Sequence, residues 1–311
     1  MPTNSITTHY VATTMTHTSL TALPRPQIVA ISGPDAIAFA QAQFSSDLSG
    51  LENGYWQWSA WLSAQGRVRA FFHLLRDDDH HLRLILRGGQ ANVLRDALAR
   101  YVLRAKVVLS VDTNRRAFIE RGSGDSIVAI ANSRSKRAEY TPEQIAITLP
   151  GAQPRRLLLR VSDATPIDAD DSAEALHENA AADIHAGLAV IDTTLEDRLL
   201  PTWLGLDSLD ATSTRKGCYP GQEVVARLHF RGGNKRWLHR IAFHAERLPA
   251  PGETLEIRGG MSAQIVQSTW TGMPSGIALA VIGEIPPSTS TCSESPSFTV
   301  VSIEKCEFPC T

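Results

Sequence analysis

The sequence is short of several things, and each shortage removes a class of function. Its charge is nearly balanced: 30 Lys and Arg stand against 32 Asp and Glu, for a net charge of −2. The molecule as a whole offers no long-range attraction to an anionic partner, so any such argument has to be local. No apolar run approaches the roughly 18–20 residues that a membrane-crossing helix needs. Met1 to Leu23 holds no Lys or Arg, the first being Arg25, and has no continuous apolar centre. A secretory signal wants a basic start and an apolar core, and a mitochondrial transit peptide wants arginines. The expectation is a flexible lead-in over residues 1–26 and a cytoplasmic protein with no membrane partner. Cysteine is limited to Cys218, Cys292, Cys306 and Cys310, with no Cys-x-x-Cys pair. Disulfide frameworks belong to small secreted chains, and this spacing follows no zinc-ligand pattern. Reduced thiols and no metal site are therefore expected. The P-loop and the Gly-x-Gly-x-x-Gly turn are both missing, which removes the main support for nucleotide binding. There is no internal repeat.

What remains is ordinary globular material: 311 residues, 43% hydrophobic and 20% charged, enough for about two domains. Ser32-Gly33-Pro34-Asp35 reads as a helix start, with a capping residue and Pro near the first turn. Ser63-Ala64-Gln65-Gly66 reads as a turn, followed by strands at Arg67–Leu75 and Leu82–Leu86 around Asp77-Asp78-Asp79. Leu94, Ala97, Leu98, Tyr101 and Val102 recur at helical spacing. Strands are expected at Lys106–Val111, Ile127–Ala131 and Leu157–Val161, and a helix after the acidic run ending at Ser172. From Gly187 to Gly233 the chain is dense in Gly, Pro and polar residues. Beyond Trp237 short apolar segments alternate with Pro and Gly turns, with a polar loop at 287–297 and a last strand near Phe298–Ile303. The fold class expected is α+β, with a body over residues 27–233 and a β domain over 234–311.

The chemistry concentrates between Ile184 and Arg240. From Arg215 to Arg240 there are seven Lys or Arg against one acid, Glu223. Such a patch suits carboxylates, phosphates or RNA, or else a solvated loop and edge strand protected by its charges. Cys218 follows Arg215, Lys216 and Gly217, and nearby cations favour a thiolate; a buried, inert thiol in a turn is the alternative. Gly232 and Gly233, flanked by Arg231 and Lys235, suit either a close backbone approach to an anion or a linker.

The run Lys216-Gly217-Cys218-Tyr219-Pro220-Gly221-Gln222-Glu223 resembles the Lys-Gly-Cys-Tyr-x-Gly-Gln-Glu signature of the YgfZ family. That family is related to the mitochondrial iron–sulfur assembly factors and to the glycine-cleavage T protein. The resemblance continues through Ile184–Leu188, Leu200-Pro201, Val224–Arg227, Phe230–Gly232 and Asn234–Arg236. Near the start it includes Phe39–Leu51 and Gly66-Arg67-Val68, and in all it covers most of residues 28–285. It implies a T-protein-like fold: a body of two intertwined parts, residues 27–110 with 170–233 and residues 111–169, plus a C-terminal β-barrel. It also implies a central cavity for tetrahydrofolate or a one-carbon derivative. The implied role is accessory, supporting iron–sulfur proteins or their assembly machinery and hence tRNA modification.

On this reading Cys218 is the reactive residue. Lys216, Gly217, Tyr219, Gly221, Gln222 and Glu223 wall the folate site, and Arg227, Arg231, Lys235 and Arg236 meet the folate glutamate tail or an acidic partner. A competing reading is a true aminomethyltransferase. Against it, the strand Arg67-Val68-Arg69-Ala70-Phe71 lacks the enzyme's acid, and His185 of Ile184-His185-Ala186-Gly187 stands where the enzyme has a carboxylate. An imidazole cannot accept from two pterin N–H groups at once. A third reading is a tRNA-binding module using the basic 215–240 face, although no aromatic RNA-binding platform is evident.

Overall fold

A computed structural model describes residues 19–122, 137–257, 261–283 and 298–306, and the backbone of Glu294 and Ser295. The strand expected at Ile127–Ala131, Cys292, Cys310 and most of the 287–297 loop lie outside the described residues, as does most of the lead-in. In chain order the strands and helices are β1 (Ser19–Ala22), β2 (Ile28–Ser32), α1 (Ala36–Gln43), β3 (Trp56–Leu62), β4 (Val68–Arg76), β5 (His81–Leu86), α2 (Ala91–Ala99), β6 (Val108–Val111) and β7 (Arg115–Arg121). They continue with β8 (Glu139–Tyr140), β9 (Gln144–Leu149), β10 (Arg155–Val161), α3 (Ala173–His185), α4 (Gln222–Arg231), β11 (Arg236–Ala245), β12 (Thr254–Ile257), β13 (Met261–Gly272), β14 (Ser275–Gly283), β15 (Glu294–Ser295) and β16 (Phe298–Lys305).

These strands make three sheets, ordered β1-β7-β10-β9-β8, β3-β4-β5-β2-β6 and β12-β13-β14-β11-β16-β15, with every strand pair antiparallel. The third is the C-terminal half-barrel. Ser19–Ala22, inside the segment read as a lead-in, is an ordered edge strand paired with Phe118–Arg121.

β4 shows how the sequence sets the layers. Its strand period of two divides Val-Arg-Ala-Phe-Phe-His-Leu-Leu-Arg between two cores. Ala70, Phe72 and Leu74 join Leu94, Leu98 and Phe44 under α1 and α2. Phe71 and Leu75 join the central core shared with Ile119, Leu159, Ile184 and Leu279. All three sheets and α3 thus meet in one apolar interior, and His73 points to the same side as Phe71 and Leu75. α3 starts where its sequence signals: the Ser172 hydroxyl accepts from the Ala175 amide at 3.2 Å, a cap contributing about 1 kcal/mol.

α4 falls in the stretch expected to be irregular. Val224, Val225 and Leu228 fall at helical spacing on it, but only Val225 is buried, and the glycines and charges around the segment masked this short apolar face.

Candidate functional site

The signature run is a structural knot with an exposed crest. Lys216 turns inward: its Nζ donates to the carbonyls of Phe44 and Ser46, each at 2.8 Å. Burial pushes its ammonium down to about 8, only partly countered by Asp47. The Tyr219 hydroxyl donates to the Ser213 carbonyl at 2.9 Å, and Gln222 Nε2 donates to the Lys216 carbonyl at 3.1 Å. Gly221 begins α4 at φ 78°, pressed against Gly66 in the β3–β4 turn. Of the run, Gly217, Cys218 and Glu223 face solvent. Two of the three Lys216 donors are committed to carbonyls, so its cation is a tie between segments rather than a free charge beside the thiol.

The cations of the 227–236 region are exposed and only partly gathered. Arg227 and Arg231 flank Phe230 on the outer side of α4. Lys235 and Arg236 line a groove of about 520 Å³ with Arg67, Arg198 and Trp203.

A separate central cavity of about 510 Å³ lies where the three sheets and α3 converge. The residues of the 216–223 run are not among those lining it. Its wall is mostly apolar, with Leu23, Ile85, Ile119, Leu157 and Ile184 prominent. The polar groups range from the exposed Arg25 at the edge, through the half-buried Gln27, Asn179, Gln267 and Ser268, to the deeply set Asp183 and His73. Asp183 is 8% exposed and is clamped by Arg87 Nη2 and Arg155 Nη2, both at 2.8 Å. Burial alone would raise its carboxyl, but the two guanidiniums outweigh that and hold it below the usual carboxylate range. His73 is 1% exposed, its ring 4.0 Å from that of Trp58. Neither ring nitrogen makes a well-formed hydrogen bond, although the Ile85 backbone is near enough to act on the ring. Burial first, then the nearby Arg87 charge, push its imidazolium down to about 3, against smaller opposing effects of the Ile85 backbone and Asp183. His73 is therefore neutral, with one ring nitrogen able to donate and the other to accept.

Sequence reasoning named neither residue. The signal was present: Leu176, Asn179, Ala180, Asp183 and Ile184 share one face of α3, and two polar residues on an apolar helix face are unusual. His185, the position highlighted by the resemblance, lines a different pocket with Arg121 and Glu178.

No family model matches the chain. It is 31% identical over 244 residues to the tRNA-modifying protein YgfZ of Escherichia fergusonii, covering 75% of this chain and 74% of that one. The YgfZ of Shigella dysenteriae serotype 1 is 32% identical with the same coverage. The chain belongs to the YgfZ family. It is a homologue of these tRNA-modifying proteins, and its fold is that of the glycine cleavage T protein. The crystal structure of aminomethyltransferase T from Bartonella henselae matches 95% of this chain and 86% of that one with a TM-score of 0.66, at 14% sequence identity. Among the described residues no helix is long and apolar enough to cross a membrane, and no cluster of His, Cys, Asp and Glu could hold a metal ion.

Proposed function

We propose that this YgfZ-family protein binds tetrahydrofolate or a one-carbon derivative in the central cavity and acts as a cytoplasmic accessory to iron–sulfur proteins, and through them to tRNA modification. The observation carrying the folate reading is His73. A fully buried imidazole whose nitrogens lack well-formed hydrogen bonds costs free energy unless something there pairs with it, and it opens on a largely apolar cavity of ligand size. The residues present fit a pterin. Aliphatic side chains, Ile85, Ile119, Leu157 and Leu159 among them, offer an apolar enclosure beside the His73 ring. Asp183 keeps lone pairs beyond those its arginines use, and Asn179 and Gln267 add donors and acceptors. β4 brings no acid to the cavity, so the carboxylate available to pterin N–H groups comes from α3.

Cys218 serves the accessory role as an exposed reactive thiol, reaching a partner rather than the pterin ring. One cysteine cannot hold a cluster alone, since clusters use about four protein ligands, so any cluster contact at Cys218 is shared with a second protein.

Calorimetric titration with tetrahydrofolate tests the folate reading. Micromolar binding is expected, weakened roughly tenfold, ~1.4 kcal/mol, by His73→Leu and unchanged by Cys218→Ser. Absence of binding by the parent protein, or undiminished binding by a folded His73→Leu variant, would overturn it. For the thiol, a Cys218→Ala protein that fully restores iron–sulfur enzyme activity in a strain lacking the native protein would refute its role.

A further inference from the structure

The groove beside Trp203 gathers charge that the fold does not neutralise. Arg67 comes from the start of β4, Arg198 and Trp203 from the loop after α3, and Lys235 and Arg236 from the entry to β11. The Arg236 guanidinium lies 5.2 Å from the centre of the Trp203 ring and that of Arg67 lies 5.8 Å from it. Arg67 Nη1 also donates to the Arg198 carbonyl at 2.5 Å. Stacked guanidiniums are already ordered, so they lose less freedom when they grip an anion. Asn234 Nδ2, donating to the Thr202 carbonyl at 3.4 Å, ties the two sides of the groove together.

Arg227 and Arg231 extend this positive band along α4, one turn apart on the same side. None of Arg67, Arg198, Arg227, Arg231, Lys235 and Arg236 has an acidic partner within 4.0 Å among the described residues. Some arginines elsewhere, such as Arg83, Arg87, Arg155 and Arg156, are paired, whereas here six unpaired cations stand together. Gly232 and Gly233 have positive φ and open space where a side chain would stand, leaving bare backbone beside the groove. Between Arg227 and Arg231 the Phe230 ring is 73% exposed.

We propose that this band is a sequence-independent RNA-binding track, with the Trp203 groove holding backbone phosphates and Phe230 stacking an unpaired base. Guanidinium forks match phosphate oxygens two at a time, and an exposed ring among cations is how single-stranded nucleic acid is gripped without base reading. An acidic protein surface would satisfy the same charges, and competition by poly-glutamate separates it from RNA. The track rests on residues that do not line the central cavity, and it stands independently of the folate reading.

Fluorescence anisotropy with a labelled oligouridylate of about 12 nucleotides, and with an unmodified tRNA transcript, tests the track. Affinity should fall steeply with salt, the log–log slope losing roughly 0.7 per phosphate contact removed from single-stranded RNA. A Lys235→Gln/Arg236→Gln variant should bind at least about tenfold more weakly at low salt, with the slope reduced by roughly 1.4. Arg227→Gln/Arg231→Gln, altered only at exposed positions of α4, should do likewise, and Phe230→Ala should weaken the oligouridylate without changing the slope. All should keep the parent response to tetrahydrofolate, and His73→Leu should keep full RNA binding. The proposal fails if neither RNA binds at low salt, if the cation variants bind as the parent does, or if poly-glutamate displaces the RNA as effectively as unlabelled RNA.

Discussion

The backbones of Gly66 and Gly221 touch. A methyl group on Gly221 would stand 2.6 Å from Gly66 Cα and 2.6 Å from the Ser63 carbonyl oxygen, and one on Gly66 would stand 2.7 Å from Val224 Cβ. Two chain segments far apart in sequence are locked at the only residue type small enough to permit it. Gly221 also holds φ at 78°, a left-handed conformation that costs other residues about 1–2 kcal/mol. Gly221→Ala should lose about 2–4 kcal/mol, since strain and backbone overlap add. Urea denaturation measures this, and a variant as stable as the parent would show that α4 can shift away from the turn at no cost.

Lys216 gives alkaline stability an unusual sign. Its ammonium falls from 10.5 to about 8 on folding. Between those values the unfolded chain holds more protons than the native one, so stability from this group rises as pH rises. The gain is on the order of 1–3 kcal/mol across that window. The neutral amine still has two N–H groups for the Phe44 and Ser46 carbonyls. Lys216→Met orphans both, at about 1–3 kcal/mol. The stability gap between parent and variant should therefore widen from pH 7.5 to 9.5; a constant gap would mean that the ammonium titrates normally.

His73 acts in the acid range. Its imidazolium is pushed down from 6.5 to about 3 in the folded protein, so below pH 6.5 the unfolded chain takes up a proton that the native chain refuses. Stability is lost as pH falls, by on the order of 2 kcal/mol at pH 5 from this group. His73→Leu removes both that loss and two buried nitrogens that lack well-formed hydrogen bonds. The variant should outlast the parent in urea at pH 5 while binding tetrahydrofolate more weakly. Equal acid sensitivity in the two proteins would place the titrating group elsewhere.

Cys218 and Cys306 should separate in reactivity. Cys218 is exposed and Cys306 half-buried; burial, mainly, pushes the Cys306 thiol up to about 11. The thiolate is the reacting form. Brief iodoacetamide treatment at pH 7.5, read by peptide mass mapping, should modify Cys218 at least about tenfold faster than Cys306. Comparable rates would contradict the exposure difference.

The sequence made some of this legible and hid the rest for physical reasons. Periodicity located β4, β5 and α2, where apolar positions repeat against a core, and Ser172 marked the start of α3 through its cap. α2 stops at Ala99, before Tyr101 and Val102, because apolar residues after a helix can pack from a turn as well as from a helix. α4 was missed because the surrounding glycines and charges masked its short apolar face, Val224, Val225 and Leu228. At the 216–223 run the family resemblance drew attention to the segment, yet the direction of one long side chain decided its meaning. Lys216 beside Cys218 suggests an electrostatic neighbour, whereas in three dimensions it fastens Phe44 and Ser46. Asp183 and His73 were readable only as polar residues on apolar faces, since their partners Arg87, Arg155 and Trp58 come from distant segments.

The walls of the central cavity begin at the Leu23–Gln27 strap and end on β13 at Gln267 and Ser268. The strap is anchored by β1, which is paired to a strand about a hundred residues later, Ser19 opposite Arg121. Local hairpins such as β4–β5 and β9–β10 supply parts of the wall, but closing the enclosure needs the distant pairing of β1 with β7, whose long loop costs entropy before contact is gained. A molecule that fills the cavity therefore binds only the completed assembly and adds its own binding free energy to it. Any such molecule would stabilise the folded chain by an amount that grows with its concentration above its Kd.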